Sequence, residues 1–327
     1  MINEAIKEKL DLENTYFNAT KTIKIVDFGC SVGPNTFFAV DNIIEAIEFK
    51  YRDQKILVSS KNLEFQVFFN DHVENDFNTL FKTLHFPPKY FAAGVPGSFY
   101  LRLFPQFSIH FAYTSYSLHW LSKIPKEIID KNSIAYNKGI IQCSGLNKEV
   151  VKVYASQLKN DLNIFLNARA QELVPGGLMV ILTLVLPNGV LMSETAMGIS
   201  YDFIGSCLMD MANLGLINAE KVDSFNLPLY FPHITELKEL IEKNGYFSIE
   251  RFEPLDNPMK SKPFESKHFA VLLRSTLEGV IRAHFGDIIV DKIFEYLAQK
   301  FENDPLIFDE DSFKNTELFI LLKRNVN

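Results

Sequence analysis

The sequence predicts an α/β fold: a doubly wound, mostly parallel sheet with an antiparallel C-terminal edge strand and a helical cap. Three observations carry this. Apolar strand-like runs alternate with helical runs through the first 186 residues, the pattern of a parallel sheet with helices on both faces. The first of these runs, IKIVDFGCSVGPNT (23–36), passes from β-branched residues through Asp27 into a glycine turn, Gly29 to Gly33, and Asn35 then opens a helical pattern. Open α/β sheets build a nucleotide-type pocket from such a turn at the carboxyl ends of their strands. Beyond residue 186 the alternation gives way to helices, with strand-like runs only at 246–255 and 316–325.

Taken in order, IKIVDF (23–28) is the first strand, and residues 35–51 carry Phe38, Ile43, Ala46 and Ile47 at helical spacing. LEFQVFFND (63–71) is a strand ending in Asp71; 76–84 is helical; 89–97 is a short strand entering a turn. Residues 108–120 form a strand that runs into a polar and aromatic end, and 148–174 a long helix stopped by Pro175, Gly176 and Gly177. LMVILTLVL (178–186) is apolar but for Thr183, as suits a strand buried on both faces. The expected division is a cofactor-binding core at 1–186, a helical cap at 187–245 and 260–312, and a return to the core sheet at 246–259 and 313–327.

Composition excludes several classes. A net charge of −7 provides no basic field for nucleic acid. No run of about 18 apolar residues occurs, so no membrane span is expected. The first residues, MINEAIKEKLDLEN, read as a charged amphipathic helix and not a signal peptide. Three cysteines without metal-like spacing favour reduced thiols and a cytoplasmic protein. The 30 phenylalanines against one tryptophan suit either a packed core or an apolar pocket.

Four constellations can carry chemistry. The glycine turn lacks both the GxGxxG dinucleotide fingerprint and a phosphate-holding lysine. Asp27 beside it can accept from an amine or hydroxyl of a ligand, against the plainer reading of a capped strand-to-helix turn. Asp71 ends the second strand, where an acidic residue commonly holds a ribose; the alternative is a solvated acidic loop with Glu74 and Asp76. In GVPGSFYLRLFP (94–105), Ser98 can hydrogen-bond a ligand and Phe99 can stack on a flat ring, or Ser98 can simply cap a turn. In TSYSLHWLSKIP (114–125), Tyr116, His119 and the single tryptophan, Trp120, fall together at a strand end, which favours a substrate site over a core role. No serine or cysteine triad is legible.

Taken together, DFGCSVGPNT, FFNDH, GVPGSFY, SYSLHWLSKIPKE and NARAQELVPGGLM, in that order, resemble the plant SABATH methyltransferases over essentially the whole chain. FFNDHVENDFN, FAAGVPGSFY and DKNSIAYNKG are most similar to members that act on an iridoid acid. The resemblance implies a class I, Rossmann-like methyltransferase that uses S-adenosyl-L-methionine to make methyl esters of a small iridoid, aromatic or terpenoid acid. It implies cofactor contacts at Asp27, Gly29, Cys30, Asn35, Asp71, His72, Ser98, Phe99 and Ser115, and acceptor positioning by Tyr116, His119, Trp120 and Phe231. It further implies a Mg2+ position at Asn137, Asp223, the Phe225 backbone and Asn226, and a homodimer. A carboxylic acid with a pKa of about 4 is already ionised at neutral pH, so the reaction needs no general base.

Three features depart from the family pattern. Val32 stands where a second serine is usual. Phe231 stands where the iridoid-acid members carry a histidine, which favours an apolar or aromatic acid. The family pattern also has an SYxxNSxxQ segment ahead of the point that Met1 matches, its serine reaching the cofactor and its glutamine the acceptor. A chain lacking both is expected to bind more weakly, by about 1.5–3 kcal/mol for each charge-assisted hydrogen bond. The alternatives are a catalytically weak ligand-binding family member and an N-methyltransferase of a xanthine-type heterocycle. An NAD-linked oxidoreductase fails on the missing fingerprint.

Overall fold

TIKIVDF forms the central strand β1 (Thr22–Phe28), with every residue from Ile25 to Phe28 buried. In the computed structural model, which describes residues 1–12, 15–18, 22–53, 63–84, 89–255, 266–303, 312 and 314–326, β1 pairs in parallel with β2 (Glu64–Asp71) and β4 (Ile109–Ser115). β3 (Phe91–Pro96) extends the sheet beyond β2, and β5 (Leu173–Val185) beyond β4. The C-terminal strand β7 (Thr316–Arg324) is antiparallel, as expected, and pairs with both β5 and β6 (Phe247–Leu255), so β6 takes the outermost position. The order is β3-β2-β1-β4-β5-β7-β6.

Helices cover both faces. On one lie α1 (Ile2–Lys9), α3 (Asn35–Asp53) and α4 (Phe77–Thr83), with the short α2 (Thr15–Asn18) between α1 and β1 in the chain. Their buried residues, among them Ile6, Ile43, Ile47 and Leu80, pack with Ile25 and Phe69 of the sheet. After the short α5 (Lys126–Ile129), the opposite face receives α6 (Lys148–Glu172), whose Leu162, Phe165 and Leu166 pack on Val26, Phe28 and Met179. α6 ends at Glu172, before Pro175, and β5 begins at once. Gly176 is left-handed (φ 79°), and a Cβ on Gly177 would come within 3.1 Å of the His110 carbonyl. The Pro-Gly-Gly run therefore makes the irregularity by which β5 meets β4 and is not the helix stop itself.

A second apolar cluster joins α7 (Ala196–Asn213), α8 (Ala219–Ser224), α10 (Ser266–Phe285) and α11 (Val290–Asn303). α9 (Ile234–Asn244) belongs instead to the sheet, through Leu237 and Ile241. Phenylalanine fills the main core: Phe28, Phe69, Phe111 and Phe165 are all inaccessible to solvent. The expected boundary at 259/260 lies outside the described residues. No helix among the described residues is long and apolar enough to cross a membrane.

Candidate active site

The chemistry-bearing residues gather at the carboxyl ends of β1, β2, β3 and β4. Asp27, one residue from the end of β1, is only 3% exposed. Its carboxylate accepts from the Thr36 hydroxyl at the start of α3. Burial pushes its pKa up to about 7, the Thr36 bond opposes the rise, and the charge of Asp71 adds to it.

Gly29 (φ 81°) turns the chain so that the amides of Gly29 and Cys30 both donate to the Asn70 carbonyl, at 2.8 and 3.0 Å. A Cβ there would sit 2.0 Å from Ser117 Oγ, whereas Gly33 has nothing within 4 Å. Close packing of protein atoms therefore demands the first glycine only. Ser31 is left-handed (φ 52°) and donates its amide to Asp71 Oδ2 at 2.8 Å. Asp71 also accepts from the His72 amide at 2.8 Å and, through its carbonyl, from Gly97 at 2.8 Å. Asn70 Nδ2 donates to the carbonyls of Val95 and Gly97. These bonds draw the glycine turn, Asp71 and the Ser98 loop to one rim.

Of the other expected cofactor residues, Asn35 and Ser98 are exposed, Ser115 is half-buried, and His72 lies outward with Nε2 3.7 Å from Asp71 Oδ1. Cys30 is buried, and burial together with Asp27 and Asp71 pushes its thiol far up, so it stays protonated. Phe99 packs against Tyr100 and Phe165, at ring distances of 4.6 and 6.0 Å.

Of the residues expected to position an acceptor, the structure brings His119, Trp120 and Phe231 together. Trp120 bridges to Leu229, Leu121 N donates to the Pro228 carbonyl, and Tyr230 N to the His119 carbonyl. The segment after β4 is thereby zipped to the one leading into α9. His119 and Phe231 stack at 4.9 Å with 21° between ring planes. Burial lowers the His119 pKa to about 4, so the imidazole is neutral, and its Nδ1 has no hydrogen-bond partner among the described residues. A small apolar cavity behind it is lined by Leu118, Leu158, Thr183, Leu237 and Ile320. Tyr116 is turned elsewhere: it is left-handed (φ 53°), 42% exposed, and donates to Glu317 Oε2 of β7 at 2.7 Å.

Asn137 and Asn226 are neighbours, with Asn137 Nδ2 donating to Asn226 Oδ1 at 2.9 Å and also to the carbonyls of Ile140 and Gln142. Asp223 is half-buried, and the Phe225 ring packs on His284 and Phe285. No cluster of three or more His, Cys, Asp or Glu suited to a metal occurs among the described residues.

Sequence reasoning missed Thr36, Asn70 and Ser117, whose parts depend on contacts made across the fold. It also missed Arg169 and Glu172, fully buried within the quoted NARAQEL run. Opposite charges three apart on a helix were the available signal there.

The chain matches the family of SAM dependent carboxyl methyltransferases over residues 1–325. Loganic acid O-methyltransferase of Catharanthus roseus is 50% identical over 329 residues, covering 100% of this chain and 87% of the relative. Farnesoic acid carboxyl-O-methyltransferase of Arabidopsis thaliana is 48% identical over 299 residues, covering 91% of this chain and 84% of the relative. A solved structure, loganic acid methyltransferase with SAH, has a TM-score of 0.94 at 50% identity, covering 100% of this chain and 91% of that one. With this sheet, this rim and these matches along its length, the chain belongs to the S-adenosylmethionine-dependent carboxyl methyltransferases, the plant SABATH family that its motifs resemble.

Proposed function

We propose that the protein methylates the carboxylate of a small, largely apolar acid, giving its methyl ester. The observation that carries the acceptor class is the His119–Phe231 stack: a neutral imidazole and an aromatic ring, set beside Trp120. S-adenosylmethionine supplies a sulfonium-activated methyl group; the carboxylate oxygen forms the new C–O bond as the C–S bond breaks and its electron pair returns to sulfur. In this reading Asp27 holds the ammonium of the cofactor's methionine part, Asp71 the ribose hydroxyls, and Ser98 and Phe99 the adenine. The fit rests on Asp27, a buried carboxylate whose protonation state is poised for a cationic partner. Gly29, Cys30, Asn35, His72 and Ser115 complete the cofactor rim.

The attacking oxygen is negative, the sulfonium positive, and the two charges cancel as the bond forms. A wall that excludes water does not penalise that transition state, whereas it does penalise solvated separated ions. His119, Trp120 and Phe231 supply such a wall, and orientation of oxygen, carbon and sulfur in line is then the main task. Tyr116 joins them as an acceptor contact when released from Glu317.

The same reading takes residues 1–186 as the cofactor core, 187–245 and 260–312 as the cap, and 246–259 and 313–327 as the return to the sheet. Asn137, Asp223, the Phe225 carbonyl and Asn226 offer an all-oxygen set with one carboxylate, which fits a loosely held Mg2+. Asn137 and Asn226 already join their two loops directly, so a cation there would reinforce that junction and takes no part in the transfer. Three free buried cysteines suit a cytosolic protein, and the resemblance to the family supports a homodimer.

The test is methyl transfer from labelled S-adenosylmethionine to a panel of iridoid, aromatic and terpenoid acids and a xanthine. Ester formation with a terpenoid or aromatic acid, above that with an iridoid glucoside, is the expected result. Product with the xanthine alone would assign N-methylation. S-adenosylhomocysteine binding without any product would make this a ligand-binding member.

A further inference from the structure

We propose that Arg169 and Glu172 act as a buried clamp that positions residues 98–104, and that Tyr100 passes this setting to the acceptor wall. The two side chains form an ion pair at 2.7 Å with essentially no solvent exposure. The guanidinium lies 4.1 Å from the ring centroid of Phe28, the residue after Asp27, and 5.0 Å from that of Phe165. Such a pair is costly to bury and rarely improves on apolar packing for stability alone.

The remaining hydrogen bonds of the pair show where its effect is directed. Arg169 donates to the carbonyls of Phe99 and Leu101, at 2.5 and 2.8 Å. Glu172 Oε1 accepts from the amides of Leu103 and Phe104. Donor and acceptor thus grip the backbone of a single segment from both ends of one α6 turn. A planar guanidinium fork is suited to fixing two carbonyls at once, which an ammonium cannot match.

That segment is also tied to the acceptor wall. The Tyr100 hydroxyl donates to the carbonyl of Trp120, and the Trp120 ring lies 6.3 Å from that of His119. The clamp therefore fixes Ser98 and Phe99 on the cofactor side and the Trp120 backbone on the acceptor side as one unit. Arg169 and Glu172 are both shut off from solvent, so they act through the 98–104 backbone.

The inference rests on Ser98 and Phe99 covering the adenine, and its test needs no acceptor, so it stands apart from the choice of acid. Trp120 is the only tryptophan in the chain, which makes its emission a reporter of the acceptor wall. Arg169→Lys and Tyr100→Phe are compared with the wild type by calorimetry with S-adenosylhomocysteine and by Trp120 fluorescence during the same titration. Arg169→Lys is expected to weaken binding about five- to twentyfold. Tyr100→Phe is expected to bind within about twofold of wild type yet lose most of the ligand-induced change in emission. Wild-type affinity in a folded Arg169→Lys protein overturns the clamp. A full emission response in Tyr100→Phe overturns the coupling, and that arm decides the proposal if Arg169→Lys does not fold.

Discussion

Asp27 is a carboxylate whose burial disfavours its charged form. Burial dominates, lifting its pKa to about 7, while a cofactor ammonium beside it would favour the ionised form. Binding near neutrality is then linked to proton release. At pH 6 most of the free protein must lose a proton from Asp27 before the pair forms; at pH 8 most has already done so. S-adenosylhomocysteine is therefore expected to bind about tenfold more weakly at pH 6 than at pH 8, with the dependence removed in Asp27→Asn. Calorimetry at several pH values, in buffers of different ionisation enthalpy, measures both the affinity and the proton release. A flat profile in the wild type would contradict the ammonium contact. At this scale the sequence was informative where a residue type carries its own chemistry. Asp27, Asp71, His119 and Trp120 stood out as candidates because acid or aromatic groups fell at strand ends, whereas Phe231 came only with the family resemblance. Thr36 and Ser117 were not, since a hydroxyl in a chain of ordinary composition signals nothing until a partner is seen across the fold. Gly29 and Gly33 looked equivalent in sequence, and the left-handed backbone of Gly29 and the approach of Ser117 to it separate them.

α1 shows how a local pattern acquires a structural role through remote contacts. Its amphipathic pattern was readable from MINEAIKEKL, and Ala5 and Ile6 are fully buried. What that pattern could not reveal is the surface it covers: α1 packs on α3 and helps close the sheet face over β5 and β7, with Val180, Phe319 and Leu321 in the same core. Lys50 of α3 reaches the end of α1 and donates to the carbonyls of Ile6 and Lys7, at 3.2 and 2.7 Å. A cation at a helix C-terminus satisfies unpaired carbonyls and complements the helix dipole. Arg251 of β6 meets Glu8 at 2.6 Å and Glu4 at 3.6 Å, but both glutamates are exposed and water screens them. The two anchors should therefore differ in weight. Lys50→Met is expected to cost about 1.5–3 kcal/mol, the range for hydrogen bonds to a charged group, and to speed proteolytic cleavage near α1. Arg251→Ala should lower the melting temperature less. Denaturant unfolding of the two variants side by side checks the ranking, and a larger loss in Arg251→Ala would reverse it. The same limit applied to β6 and β7. Both strands and an antiparallel return were legible, but the insertion of β7 between β5 and β6 is set by its pairing with segments about 130 and about 60 residues earlier, which local periodicity does not encode.

Across the whole molecule, buried titratable groups couple stability to pH. His110 and His119 stand at opposite ends of β4, and both have pKa values lowered to about 4. Desolvation is the leading cause for each, and the charge of Lys24 contributes at His110. In the unfolded chain both titrate near 6.5, so as the pH falls from about 6.5 towards 4 the unfolded state gains two protons that the folded state refuses. Their contribution is fully present above 6.5 and is lost on the way down to 4. Asp27 has the opposite sign. With a folded value of about 7 against an ordinary 3.8, it takes up its proton in the folded state first. Its share of stability is full below 3.8 and is lost as the pH rises through 7. Between pH 6 and 5 these two histidines oppose Asp27, and the three groups together contribute a net loss of roughly 1 kcal/mol per pH unit as the pH falls; Asp202, also raised by burial, acts on the side of Asp27. Substitution tests the balance from both sides. His119→Phe, which keeps an aromatic ring against Phe231, should flatten the fall in melting temperature between pH 7 and pH 5. Asp27→Asn, which removes the opposing group, should steepen it. Thermal melts of the ligand-free protein across that range measure the three slopes. Wild-type slopes in both variants would mean that exposed carboxylates, and not these three buried groups, govern the response to acid.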